Sequence, residues 1–215
     1  EQESTDSWNA RLAELATPGP DEAVLTAIGD AIWIRKVSTI DNPRLQPIFD
    51  VMRSADVAFQ NLEEALADRG YPELKAVAKA DPSIADEFAW AGIDVVAAAN
   101  NHFMDFGTEG MNTARRTLEG KGIKYTGAGA NLEEALRPAI LEANGVRMAF
   151  LAFMAAPNMG PSLAPPASEG EPGVAPIRGA EIRLPDGRVV RSPWAQDLKA
   201  MEEAIRRAGE QADLV

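Results

Sequence analysis

His102 is the chain's single histidine, and it sits within Ala98–Gly107, where Asn100, Asn101 and Asp105 surround it in sequence. An imidazole, two amides and a carboxylate within six residues bring nitrogen and oxygen lone pairs together, a set suited to a metal ion or a phosphate. Ile93–Ala99, just before, is short, apolar and rich in small residues, the pattern of a buried α/β strand. Open α/β sheets bind ligands at the carboxyl ends of their strands. The pattern recurs twice: Ala23–Ile28 runs into Gly29 and Asp30, and Ala55–Gln60 runs into Asn61, Leu62 and Glu63. If the three strands are parallel and adjacent, their polar ends meet at one edge. Asp30, Asn61, Glu63 and Asn101 then form a ligand set for one or two Mn, Fe, Zn or Mg ions, able to activate water and polarise a phosphoryl or acyl oxygen. His102, with Asp105, is the candidate catalytic group. Arg35, with its planar fork of donors, and Asn100 are candidates to hold an anionic substrate.

Each residue also has a purely structural use. Asn100 or Asn101 can cap a helix, and Asp30 can serve a turn. Glu63 can sit solvated at a helix start. Asp105 can cap the next helix or orient His102, and Gly107 can permit a tight turn. The threefold recurrence of a polar cluster after an apolar strand favours the joint functional reading. Other chemistries lack their signatures: there is no Gly-x-Gly-x-x-Gly after the first strand, no Gly-Lys-Ser/Thr phosphate loop and no Gly-x-Ser-x-Gly elbow.

The elements that must position these groups follow from periodicity. Residues 8–16 have weak helical spacing, broken at Thr17–Pro20. Pro43–Ser54 reads as a helix with Leu45, Ile48, Phe49 and Met52 on one face. Residues 83–91 and Glu109–Lys121 also read as helices, the latter stopped by Gly122. Ile123–Gly127 is a fourth strand, and Asn131 caps a short helix. Pro138–Glu142 and Val146–Leu151, joined by Asn144 and Gly145, form a hairpin. Eight of the fifteen prolines fall in 155–193, which reads as an irregular excursion with a small hairpin near Pro185–Gly187. Residues 195–210 form an amphipathic helix with Leu198, Met201 and Ile205 inward, and Ala212–Val215 begins like a buried strand.

Composition narrows the function. The 215 residues carry 21 Lys and Arg against 33 Asp and Glu, a net charge of −12. Such a field does not attract nucleic acid or anionic membranes. With no cysteine, disulfides, thiolate metal sites and Cys nucleophiles are excluded. No stretch approaches the roughly 20 apolar residues that span a bilayer. The polar start at Glu1–Ser7 fits either a processed or a trimmed end.

The succession Gly29-Asp30, Asp56–Glu63, Gly92–Val96 into Asn100–Gly107, Thr126–Ala135 and Pro138–Leu151 resembles the CapA family of bacterial capsule and poly-γ-glutamate synthesis proteins. The likeness covers about residues 23–153, returns at Pro172–Pro176 and fits the last helix. It implies a calcineurin-like metallophosphatase fold, an α/β four-layer sandwich (α/β/β/α), with residues 1–20 an extension and 21–215 the N-terminal part of the domain. Further polypeptide beyond Val215 is expected to complete it. The resemblance implies that Asp30, Asn61 or Glu63, and Asn101 are ligands and that His102 is the acid or anion stabiliser. Two positions depart from the wider superfamily: Ile32 stands where a histidine is usual, and Asn61 and Glu63 share the region of a second aspartate. The implied function is metal-dependent hydrolysis of a polyanionic polymer or phosphoester at the cell envelope or outside the cell, in association with polymer-synthesis machinery. The alternatives are a non-catalytic accessory for binding or export of an anionic polymer, and a phosphodiesterase or nucleotidase of small substrates.

Overall fold

The computed structural model describes residues 22–68, 79–156 and 164–215, with Ala10 and Gly19. The helix and break expected over 8–20 lie, those two residues aside, outside the described residues. The chain runs β1 (Leu25–Ala31), α1 (Gln46–Ser54), β2 (Val57–Leu62), β3 (Ala65–Leu66), β4 (Lys79–Ala80), α2 (Ala85–Trp90), β5 (Val95–Ala97), α3 (Gly107–Gly120), β6 (Lys124–Thr126), β7 (Ala128–Gly129), α4 (Leu132–Ala135), β8 (Ala139–Ala143), β9 (Val146–Phe150), β10 (Met154–Ala156), β11 (Gly173–Val174), β12 (Pro176–Arg183), β13 (Val189–Pro193) and α5 (Ala195–Gly209). This is a mixed α/β architecture.

Its centre is a parallel sheet in the order β1-β2-β5-β6. Alternation along β2 explains the layering. Ala58 and Leu62 join Val96 of β5 on the helix side, against Phe49 and Met52 of α1, Phe88 of α2, and Met111, Ala114 and Leu118 of α3. Val57 and Phe59 face the other way with Val95, onto Met148 and Phe150 of the β8–β9 hairpin. Phe59 stacks on Phe150 with ring centroids 5.8 Å apart. Carboxylates fasten the strand starts: Asp56 accepts from Val24 N at 2.8 Å and Asp94 from Ala58 N at 2.9 Å.

The β8–β9 hairpin turns through Asn144 (φ 50°) and Gly145 (φ 79°), the left-handed pair that a two-residue turn demands. Asn131 caps α4, its Oδ1 accepting from Glu134 N at 2.9 Å. The helices shift their faces from the expected ones. In α1, Phe49 and Met52 are buried while Ile48 is exposed. In α5 the buried side chains are Asp197, Ala204 and Ala208, and Ile205 is exposed. Asp197 turns inward because it accepts three bonds from Arg178 of β12, two of them from the guanidinium.

The region 155–193 is more ordered than its prolines suggest. β10 pairs parallel with β12, and β12 pairs antiparallel with β13 over five residue pairs. Pro176 opens β12 and Pro193 closes β13, strand-end positions that proline tolerates. At the C-terminal end, Leu214 bridges Met148 in parallel and accepts from Ala149 N at 2.8 Å, so the chain enters strand pairing there.

Candidate functional site at the strand ends

β1, β2 and β5 are adjacent and parallel, so their carboxyl ends share one edge. The first two strands extend further than periodicity predicts. The register shifts between Ile28 and Asp30, at Gly29, and Asp30 then pairs with Asn61 inside the ladder. Asp30 and Asn61 therefore end strands rather than follow them. Glu63 lies one residue beyond β2, and Asn100 to Asp105 form the turn between β5 and α3.

A continuous run of hydrogen bonds joins these ends. Asn61 Nδ2 donates to Asp30 Oδ1 at 2.8 Å and to Glu63 Oε2 at 2.5 Å. Asn100 Nδ2 donates to Asn61 Oδ1 at 3.0 Å and to the Leu62 carbonyl at 2.7 Å. Asn100 Oδ1 accepts from the backbone N–H of His102 (3.0 Å) and Phe103 (2.8 Å). Asn100 is buried and ties β5 to β2; the cap reading for it holds in the sense that it folds the turn before α3, while Phe106 is the helix's N-cap residue.

His102 sits beside this run, half-buried. Its Nδ1 lies 2.8 Å from Oδ2 of fully buried Asp105. Of the two structural uses open to Asp105, orientation of His102 is the one seen. With Nδ1 engaged, the imidazole presents Nε2 away from the carboxylate. Gly107 adopts φ 57°, the left-handed turn that starts α3.

The electrostatics follow from the same contacts. The Glu63 carboxyl is raised above the usual carboxylate range, first by desolvation and then by the charge of Asp30, against the Asn61 hydrogen bond and the nearby His102, which lower it. Among the described residues, no group of three or more His, Asp or Glu side chains is arranged to hold a metal ion.

The structure brings together Asp30, Asn61, Glu63 and Asn100 by direct hydrogen bonds, and sets the His102–Asp105 pair beside them. Asn101 is half-buried and Arg35 exposed, and neither bonds to the cluster. Ile32 is 52% exposed. Two buried acids escaped the sequence reading. Glu64, next to Glu63, is fully buried, and its oxygens lack a well-formed hydrogen bond. Glu87 of α2 accepts from Val37 N, Ser38 N and Ser38 Oγ at 2.7–2.9 Å, holding the loop that follows β1. Neither carried a signal, since an acid beside Glu63 and an acid in a helix's first turn both read as solvent-facing.

Comparison with known proteins adds the family. Residues 24–215 match the model of the bacterial capsule synthesis protein PGA_cap. An uncharacterised protein of Sinorhizobium fredii is 29% identical over 208 residues, covering 92% of this chain and 44% of its own length. A probable polyglutamine synthesis accessory protein of Mycobacterium tuberculosis is 32% identical, over 73% of this chain and 40% of its own. The capsule biosynthesis protein CapA of Bacillus anthracis is 26% identical, over 62% and 35%. The chain thus spans less than half the length of these relatives.

Proposed function

The chain belongs to the bacterial capsule synthesis protein PGA_cap family, and from that membership we propose that it hydrolyses an anionic, polyglutamate-like capsule polymer with the help of one divalent cation at the β1–β2–β5 strand ends. The observation that carries this reading is the hydrogen-bonded run from Asp30 through Asn61 and Glu63 to Asn100, across three adjacent strands, with the His102–Asp105 pair beside it. Two carboxylates flanked by amides suit one hard or borderline ion, Mn, Fe, Zn or Mg. A single ion is proposed because Asp30 and Glu63 are the two carboxylates that the Asn61 amide draws together. The four-layer sandwich of the wider metallophosphatase superfamily is part of the same proposal, with the helix layer, the parallel sheet and the β8–β9 hairpin as its first layers.

Asp30 and Glu63 would hold the cation, which when bound supplies an activated water and polarises the scissile carbonyl or phosphoryl group. His102, when protonated on both ring nitrogens, donates a proton to the leaving group from Nε2, its ring oriented by Asp105, which accepts from Nδ1–H. Asn101 and exposed Arg35 contact the polymer's carboxylates, which offsets the repulsion expected from a −12 chain. The protein acts at the envelope or outside the cell, beside the polymer-synthesis machinery.

A second reading, accessory binding of the polymer without turnover, is favoured by Ile32, which is apolar where the wider superfamily has a ligand. The test is release of new chain ends from polyglutamate by the full-length protein with added Mn. Hydrolysis that falls by about 100-fold or more in His102→Ala supports the enzyme. Polymer binding with no new ends selects the accessory reading, and turnover of model phosphoesters alone selects a small-substrate phosphoesterase.

A further inference from the structure

Asn100 has one orientation open to it. Its Oδ1 receives two backbone N–H groups, of His102 and Phe103, and only an oxygen can accept there. Its Nδ2 must then face acceptors, and it meets the Leu62 carbonyl and the side chain of Asn61. The Asn61 atom receiving that bond must be Oδ1, so Asn61 Nδ2 points at Asp30 and Glu63, where two carboxylates take its two protons. Backbone groups thus fix the amide polarity of Asn100, and Asn100 fixes that of Asn61. Reversing Asn61 would set its NH2 against the NH2 of Asn100 and its oxygen against two carboxylates.

We infer that Asn61 is a hydrogen-bond clamp on the Asp30–Glu63 pair rather than a metal ligand, and that Asn100 is the positioning residue that locks the clamp's polarity. Asn61 Nδ2 donates to an oxygen of each carboxylate. A cation held by Asp30 and Glu63 would compete with the Asn61 amide for these oxygens, and either would offset the repulsion of two like charges. The clamp itself does not depend on the metal reading above; only the competition does.

The experiment uses the full chain, wild type beside Asn61→Ala and the double variant Asn61→Ala/Glu63→Gln, in thermal melts with EDTA and in calorimetric titrations with Mn2+. Without metal, loss of the clamp leaves two unscreened carboxylates, and Asn61→Ala lowers Tm by about 3 °C or more. Glu63→Gln in that background removes one charge and restores at least half of the loss. With Mn2+, Asn61→Ala binds as tightly as wild type or up to about tenfold tighter, since the competing donor is gone. Mn2+ affinity reduced tenfold or more in Asn61→Ala makes Asn61 a ligand and overturns the inference. So does a metal-free loss of stability that Glu63→Gln leaves unrepaired, the mark of a merely structural amide. If no form binds Mn2+, the metal reading of the site fails while the metal-free melts still decide the clamp.

Discussion

Glu64 and Glu87 are both removed from solvent, at 0% and 4% exposure, yet their surroundings differ in kind. Glu87 reaches from α2 to the loop after β1 and accepts two backbone N–H groups and a hydroxyl. Glu64, just after β2, has only a weak interaction with the Trp33 N–H, and burial pushes its carboxyl up to about 7. A buried acid with donors is a fastening; one without them is held near neutrality and penalises folding once it ionises. The contrast also bears on the strand ends, since Glu87 anchors the loop that leads out of Asp30's strand, and Glu64 is the chain neighbour of Glu63.

The largest effect is expected at Glu87. Glu87→Ala leaves the Val37 and Ser38 N–H groups without their acceptor and should cost about 3 kcal/mol or more, a fall in Tm of about 6–12 °C. Glu87→Gln keeps the geometry, with Oε1 accepting from both N–H groups and Nε2 facing the Ser38 hydroxyl, and should cost about 1 kcal/mol. Equal losses in the two variants would mean that packing, not hydrogen bonding, holds the loop, and the contrast with Glu64 would fail.

The next effect belongs to Glu64 and depends on pH. Its folded pKa, about 7, is raised above the ordinary 4.5. The folded state therefore binds the extra proton between these values, and the associated stability is full below about pH 4.5 and is lost as pH rises through about 7. A tenfold difference in proton affinity between folded and unfolded chain is worth roughly 1.4 kcal/mol, so the loss approaches about 3 kcal/mol at most. Glu64→Gln removes the dependence. Urea melts between pH 4.5 and 8 should give a variant-minus-wild-type difference that rises with pH and levels off above 7. A difference that stays flat would show Glu64 to be solvated and ordinary.

How much of this was legible in sequence depends on the range of the cause. The strand ends were readable because short apolar runs followed by Asp30, by Asn61 and by Asn100-Asn101-His102 are local patterns, and parallel pairing then forces convergence. The hairpin turn and the Asn131 cap were readable for the same reason. The amide polarity of Asn61 was not, because Asn100, 39 residues away, decides it. The small hairpin near Pro185–Gly187 was readable from its turn residues, but the length of its strands and their pairing with β10 were not, because proline counts against strands by composition, while Pro176 and Pro193 occupy ends where the rule relaxes. The exposed Ile48 and Ile205 show that helical spacing defines a stripe but not which edge of it the core covers.

The smallest effect sharpens the comparison from the solvent side. Glu203 of α5 is as well furnished with donors as Glu87, through Arg206 (3.0 and 2.7 Å) and Arg207 (2.7 Å), and these hold its carboxyl down to about 2. Its stabilisation is therefore present above the ordinary 4.5 and is lost as pH falls through about 2. Donors alone do not make a fastening, however, because water competes for every exposed group and salt screens the pair. Glu203→Gln should move Tm by no more than about 1 °C at physiological ionic strength. A shift rivalling that of Glu87→Gln would mean that donor count matters more than burial, and the distinction between the two buried acids would have to be rebuilt on hydrogen bonds alone.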